Sequence, residues 1–215
     1  LNKKVNSLAN YLKFIGITEN DVISINLNRS FDLIISIFAV IKSGASYVLL
    51  NTSLPQGRIE YIITDANCKI NIVNNNTLSS INKKACINLD NFDFEYYDKN
   101  NLEITTKTDS LCIIYTSGST GKPKGVRLHK TGFLSLVYSL KTAMDISKYE
   151  KILGIASVSF DMFAFELYSA LLCGNTLVLA NEEEQPSMLF SRSLRIFLRC
   201  CLSLSSKSTF SNSSF

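Results

Sequence analysis

Apolar positions in this chain repeat with two periods, one helical and one alternating, and the two take turns through residue 180. From Lys3 to Ile15, Val5, Leu8, Ala9, Leu12 and Ile15 form a helical stripe, and Gly16 follows as a stop signal. Val22 to Leu27 alternates as a strand does. Ser30 is placed to cap a helix over Phe31 to Lys42, which Gly44 can end. That helix is apolar nearly all round, so it belongs inside the protein. Tyr47 to Leu50 reads as a strand. Pro55 falls where a first helical turn tolerates it, before a helix over Arg58 to Ala66 carrying Ile59, Ile62 and Ile63.

The alternation continues with a β-branched run from Lys69 to Val73 and a polar loop from Asn74 to Asn82 that has room for a helical turn. Residues 86–108 read as weak strands and loops. Strands are predicted at Leu111–Tyr115, Gly125–Leu128, Lys151–Ala156 and Thr176–Ala180, and helices at Thr131–Met144 and Met162–Leu172. The order predicts an α/β fold: layered, largely parallel sheets with flanking helices. No internal repeat is present. Near residue 187 the pattern stops, and a serine-rich stretch without acids runs to the end. Residues 1–186 are thus set apart from an atypical tail, 187–215, read either as a reading-frame change or as a disordered segment.

Composition narrows the classes. The chain is 46% hydrophobic and 19% charged, as soluble globular proteins are. Its net charge of +4 comes from the tail, where Arg192, Arg195, Arg199 and Lys207 meet no acid. The body then holds 18 Lys and Arg against 18 Asp and Glu, so no basic face for nucleic acid is implied. Six cysteines form no Cys-x-x-Cys pair, and four sit among apolar residues, which favours reduced core thiols and a cytoplasmic setting. The single histidine, His129, argues against a histidine-built zinc site, and no metal ligands are assigned. The longest apolar run, Leu33 to Ile41, is far short of a membrane span, and no signal-peptide shape opens the chain. Because it opens on Leu1, the sequence is expected to begin inside a longer reading frame.

The sharpest chemical feature is Tyr115 to Val126, YTSGSTGKPKGV. Gly118 and Gly121 let the backbone turn several N–H groups inward. Thr116, Ser117, Ser119 and Thr120 add hydroxyls, and Lys122 and Lys124 add positive charge. The preceding strand anchors this loop at a sheet edge, where α/β proteins bind ligands. Two lysines beside stacked hydroxyls speak against a plain solvated turn. A Walker-type P-loop fails at both ends: Pro123 follows Gly121-Lys122, and Thr116 stands where the first glycine is required. Proline also removes an N–H that a P-loop helix would aim at phosphate.

YTSGSTGKPKGV resembles the phosphate loop of the adenylate-forming, AMP-binding superfamily: acyl-CoA synthetases, luciferases and nonribosomal peptide synthetase adenylation domains. The resemblance implies that Thr116, Ser117, Gly118, Ser119, Thr120, Gly121, Lys122 and Lys124 hold the ATP triphosphate. Ile41 to Ala66, IKSGASYVLLNTSLPQGRIEYIITDA, is similar to an upstream motif of the peptide synthetase branch, with Asn51 and Ser53 where an aspartate and a proline are usual. The opening stretch, Leu1 to Ile25, resembles the entry helix and strand of such domains.

Ser159 to Ala180 also resembles that branch, and there the aspartate after Phe160 pairs with the substrate α-ammonium. Asp161 holds that position. Capping of the following helix is the competing reading. Met162 and Phe165 fall on one helical face with Asp161 and by resemblance line the side-chain pocket; they read equally as core residues. Phe160 matches an aromatic position near the acyl carboxylate, and His129 receives no role.

The resemblance implies a two-step reaction. A substrate carboxylate attacks the α-phosphorus of ATP, aided by Mg²⁺, and the acyl-adenylate passes to a thiol, the phosphopantetheine of a partner carrier-protein domain. An amino acid is the implied substrate; no catalytic residue is assigned. Neither a Tyr-Gly-Pro-Thr-Glu stretch nor a Thr-Gly-Asp occurs in the 215 residues. The C-terminal lysine domain of the family is not matched either. The chain therefore resembles the front part of such a domain, with a non-catalytic remnant or an acyl-CoA synthetase fragment as alternatives. The 215-residue polypeptide by itself is expected to show no amino-acid-dependent ATP–pyrophosphate exchange; robust exchange by the purified product contradicts this.

Overall fold

A computed structural model of the chain describes residues 1–81, 85–103, 107–117 and 122–180. Its centre is a six-stranded sheet in the order β4-β3-β1-β2-β5-β6. The strands are β1 (Val22–Ile25), β2 (Ser46–Leu49), β3 (Cys68–Val73), β4 (Cys86–Asn88), β5 (Ser110–Thr116) and β6 (Lys124–His129). Five run parallel; β6 turns back antiparallel against β5, from Ser110↔His129 to Thr116↔Lys124. A second, two-stranded parallel sheet pairs β7 (Lys151–Gly154) with β8 (Thr176–Leu179).

Five helices flank the sheets: α1 (Asn2–Phe14), α2 (Phe31–Ser43), α3 (Gln56–Asp65), α4 (Lys130–Met144) and α5 (Asp161–Leu172). The predicted α/β layers are therefore present, and most boundaries agree within two residues. Ser30 caps α2 as expected, its hydroxyl accepting from the Leu33 N–H at 3.2 Å. Gly44 ends α2 in a left-handed conformation at φ 91°, which a side chain would strain. Pro55 sits one residue outside α3, as its N-cap, not within the first turn. β1 ends at Ile25, two residues early; Asn26 still donates its N–H to Ile72 O of β3, while its side-chain amide donates to the Ser80 hydroxyl. The expected strand over 151–156 closes at Gly154. Within 86–108, a three-residue strand and a 3₁₀ turn at Leu89–Asn91 are the regular elements among the described residues.

Strand alternation sorts the core into two layers. Ile23, Ile25, Tyr47, Ile72 and Cys112 face α1, α2 and α5 in the larger cluster. Val22, Val48, Val73 and Ile113 face the α3 residues Ile59, Ile62 and Ile63 in the smaller one. α2 is buried along Leu33, Ile34, Ile35 and Ile37, and each such side chain contributes about 1.5–3 kcal/mol when removed from water. Cys68, Cys86, Cys112 and Cys173 are free thiols, and burial pushes the Cys112 thiol up to about 11. Cys200, Cys201 and the whole tail reading for 187–215 lie outside the described residues. No described helix is long and apolar enough to cross a membrane.

α5 is joined to the large sheet through a buried hydroxyl pair. Tyr47 Oη on β2 and Tyr168 Oη on α5 lie 3.0 Å apart, with the Phe38 and Phe133 rings edge-on to Tyr168. Burial raises the pKa of both tyrosines, so both stay neutral and can share one hydrogen bond. Tyr47→Phe leaves the buried Tyr168 hydroxyl short of a partner and is expected to cost about 1–3 kcal/mol in urea unfolding. The double variant Tyr47→Phe/Tyr168→Phe is expected to be more stable than the sum of the two single changes allows.

Candidate functional site: a cavity at the carboxyl ends of β2 and β5

Parallel strands converge their carboxyl ends on one edge, and in this fold a cavity of about 690 Å³ opens there. β2 and its following turn supply Leu49, Asn51 and Leu54, and α3 supplies Arg58 and Ile62. The end of β5 supplies Ile114, Tyr115, Thr116 and Ser117, and β6 adds Val126 and Leu128. The opposite lip is the segment between β7 and α5, with Ser157, Ser159, Phe160 and Asp161. An apolar floor thus carries hydroxyls, a guanidinium and a carboxylate at its rim, a common build for small-molecule sites.

The roots of the predicted phosphate loop meet this cavity. Thr116 closes β5, Ser117 follows it, and both line the cavity from exposed positions. Lys122 and Lys124 are exposed on the returning limb, where Lys124 opens β6. Gly118, Ser119, Thr120 and Gly121 lie outside the described residues. Both limbs are tied to α3. Tyr115 Oη donates to Asp65 Oδ2 at 2.6 Å, and Tyr61 Oη donates to Pro123 O at 3.3 Å. Burial first, then the Asp65 carboxylate, raises the Tyr115 pKa and keeps its hydroxyl a donor.

Asp161 is the first residue of α5, while Phe160 is the N-cap. Asp161 thus stands one position past the cap, and its carboxylate makes no hydrogen bond to the α5 backbone among the described residues. Its carboxylate is exposed, lines the cavity and has no hydrogen-bond or ion-pair partner among the described residues. The α5 amino terminus favours the negative charge without neutralising it. Met162 is half-buried, and Phe165 packs on the larger core; neither lines the cavity.

No group of three or more His, Cys, Asp or Glu among the described residues could hold a metal ion. What the rim offers is suited to an anion beside Arg58, Thr116 and Ser117, and to a cation at Asp161; Lys122 and Lys124 do not line the cavity.

The sequence model of the AMP-binding enzyme family matches residues 1–196. The chain belongs to the AMP-binding enzyme family. Bacitracin synthase 3 of Bacillus licheniformis is 34% identical over 205 residues, covering 93% of the chain and 3% of that protein. Tyrocidine synthase 3 of Brevibacillus parabrevis is 32% identical over 206 residues, covering 94% and 3%. The chain thus spans a few per cent of the length of these synthases. Among solved structures, the Klebsiella oxytoca NpsA N-terminal subdomain, bound to 3-hydroxybenzoyl-AMSN, superposes at TM-score 0.72 with 27% identity, covering 83% of this chain and 45% of that one. The nonribosomal peptide synthetase FmoA3 shares the fold at TM-score 0.75 and 20% identity, covering 82% and 20%. The AMP-binding chain is therefore the N-terminal part of the adenylate-forming fold.

Motif reading reached the loop roots and Asp161 in this AMP-binding chain. It missed Arg58, whose place on the cavity needs α3 docked against β5, and the Tyr115–Asp65 tie, whose partners are fifty positions apart. Gly125 is a further missed constraint. A Cβ there would meet the Tyr115 ring at 3.1 Å and Ile113 Cγ2 at 3.1 Å. Gly125→Ala is expected to destabilise the chain by about 1–3 kcal/mol in urea unfolding. Adding Tyr115→Phe, which removes the hydroxyl 3.2 Å from that Cβ, is expected to relieve part of the strain.

Proposed function

We propose that this chain is the ATP-phosphate and substrate-ammonium half of an enzyme that activates an amino acid as its acyl-adenylate. The observation that carries the reading is a juxtaposition. Thr116 and Ser117, at the root of the phosphate loop, share one cavity with Asp161, a carboxylate without a described partner. An α-amino acid presents a carboxylate and an ammonium two bonds apart. A cavity with anion-binding hydroxyls on one side and a lone carboxylate on the other suits both ends.

The residues have separate tasks. The hydroxyls of Thr116 and Ser117, the loop that continues through Gly118, Ser119, Thr120 and Gly121, and the Lys122 and Lys124 ammonium groups bind the triphosphate and orient it. They stabilise charge that builds on phosphate oxygens as pyrophosphate leaves. Mg²⁺ arrives with the triphosphate as part of the substrate. Asp161 accepts hydrogen bonds from the substrate ammonium, which fixes the substrate carboxylate toward the loop. Met162 and Phe165 follow Asp161 on α5 without lining the cavity, and are proposed to bear on the side-chain end of the pocket only through the seating of α5. The acyl-adenylate is then handed to the phosphopantetheine thiol of a carrier-protein domain. Support comes from the family match and from the synthases that the chain resembles.

The test is pyrophosphate exchange by a chimera in which residues 1–180 replace the matching segment of a nonribosomal peptide synthetase. It is expected to require an α-amino acid and to reject the desamino analogue. Asp161→Ala is expected to lower kcat/KM for the amino acid roughly 10²- to 10³-fold, as losing one partner of a desolvated ion pair does, and to leave the KM for ATP within about twofold. Full activity of Asp161→Ala refutes the ammonium reading. Activation of acids that lack an amino group then becomes the better account.

A further inference from the structure

We infer that Arg29 and Glu166 are positioning residues of this site: together they fix the backbone at Gly154–Ala156, and through it the place where residues 157–161 present Asp161 to the cavity. The functional meaning of this rests on the reading of Asp161 above. Neither residue lines the cavity, so both act through others.

Arg29 lies between β1 and α2, at the carboxyl edge of the large sheet, and reaches across to the small one. Its Nη1 donates to Gly154 O at 2.8 Å and, at the limit of hydrogen bonding, to Ala180 O at 3.5 Å. Its Nη2 donates to Ile155 O at 2.9 Å and also to Ala156 O. Three consecutive carbonyls, the last of β7 and the two that follow it, therefore take hydrogen bonds from one guanidinium. The Gly154 carbonyl also accepts the Ala180 N–H at 3.1 Å, while those of Ile155 and Ala156 lie beyond the strand and need donors. A planar guanidinium offers several fixed N–H groups, and a lysine ammonium does not reproduce that fork. The Arg29 guanidinium carbon also lies 5.7 Å from the centre of the fully buried Phe163 ring on α5.

Glu166 grips the same segment by its amides, as Arg29 does by its carbonyls. It is buried on α5, five residues after Asp161, and its carboxylate accepts from the Ala156 N–H at 3.0 and 3.3 Å. A buried carboxylate in an apolar helix is costly unless it is paired. Here the amides of Ile155 and Ala156 and the nearby Arg29 charge counter the desolvation. Gly154 leaves the room: a Cβ at that position would approach Glu166 Oε2 at 3.7 Å and Leu177 and Leu179 at 3.3 Å. The segment that leaves this double grip turns at once, with Phe160 N–H donating to Ser157 O at 3.0 Å, and delivers Ser157, Ser159, Phe160 and Asp161 to the cavity rim. With both carbonyls and amides of residues 154–156 engaged, the entry angle of α5 is set at its first residue.

A role as mere cement between the sheets would loosen the whole chain when removed; a positioning role loosens 154–161 alone. Amide hydrogen exchange on the full 215-residue chain separates the two, with wild type, Arg29→Met, Arg29→Lys and Glu166→Gln compared. In Arg29→Met, exchange across 154–161 is expected to rise at least tenfold while β1, β2 and β3 keep wild-type protection. Arg29→Lys is expected to recover part of the protection, and Glu166→Gln, which keeps a carbonyl acceptor for Ala156 N–H, to lose less than Arg29→Met. Should Arg29→Met fail to fold, the lysine and glutamine variants carry the same comparison. Unchanged exchange at 154–161, or a rise spread evenly over the six-stranded sheet, overturns the inference. No substrate enters this measurement, so it is independent of the outcome for Asp161→Ala.

Discussion

The site depends first on how β5 is paired. One edge of this strand runs parallel to β2, and the other is bonded antiparallel to β6 from Ser110 to Thr116. The chain must therefore reverse direction between Thr116 and Lys124, and it does so at the carboxyl edge of the sheet. Backbone pairing, not side-chain recognition, places the two ends of the proposed phosphate loop, Thr116 and Lys124, side by side at that edge. The ties from Tyr115 to Asp65 and from Tyr61 to Pro123 then hold both limbs of that reversal against α3.

The opposite lip is built by long-range packing. α5 is seated by Phe163, Leu167 and Tyr168 in the larger core, with the Tyr47–Tyr168 hydroxyl pair fixing its rotation. The Arg29 and Glu166 contacts set the segment that leads into it. A cavity between two sheets needs both lips held, because each small sheet or loop alone buries too little surface to stay in place. This division explains why the polar groups outside the cavity matter as much as those that line it.

Much of the site was readable in the order of residues. Thr116, Ser117 and Asp161, each singled out by motif, do line one cavity, while Gly118 to Gly121 lie outside the described residues and the phosphate role remains a proposal. Two strand boundaries shifted. β1 stops at Ile25, past which the Asn26 side chain donates to the Ser80 hydroxyl, and β7 stops at Gly154, past which Arg29 takes the Ile155 and Ala156 carbonyls. Glu166 left a faint trace, a lone acid in a helix of apolar residues, but the pattern alone could not say what would pair with it.

The sequence by itself determined the α/β layering and the membership of the adenylate-forming family, since these rest on local period and on a contiguous motif. Helix stripes, strand alternation and glycine stops are properties of neighbours within a few positions. Tertiary structure alone decided which strands pair, that β6 runs antiparallel, and that Arg58, Tyr115 and Asp161 border one cavity. It also decided that Arg29 meets residues 125 to 127 positions away. Such contacts are invisible in the chain because hydrogen bonding requires closeness in space, and only the closing of the two sheets around a shared core brings those residues within reach.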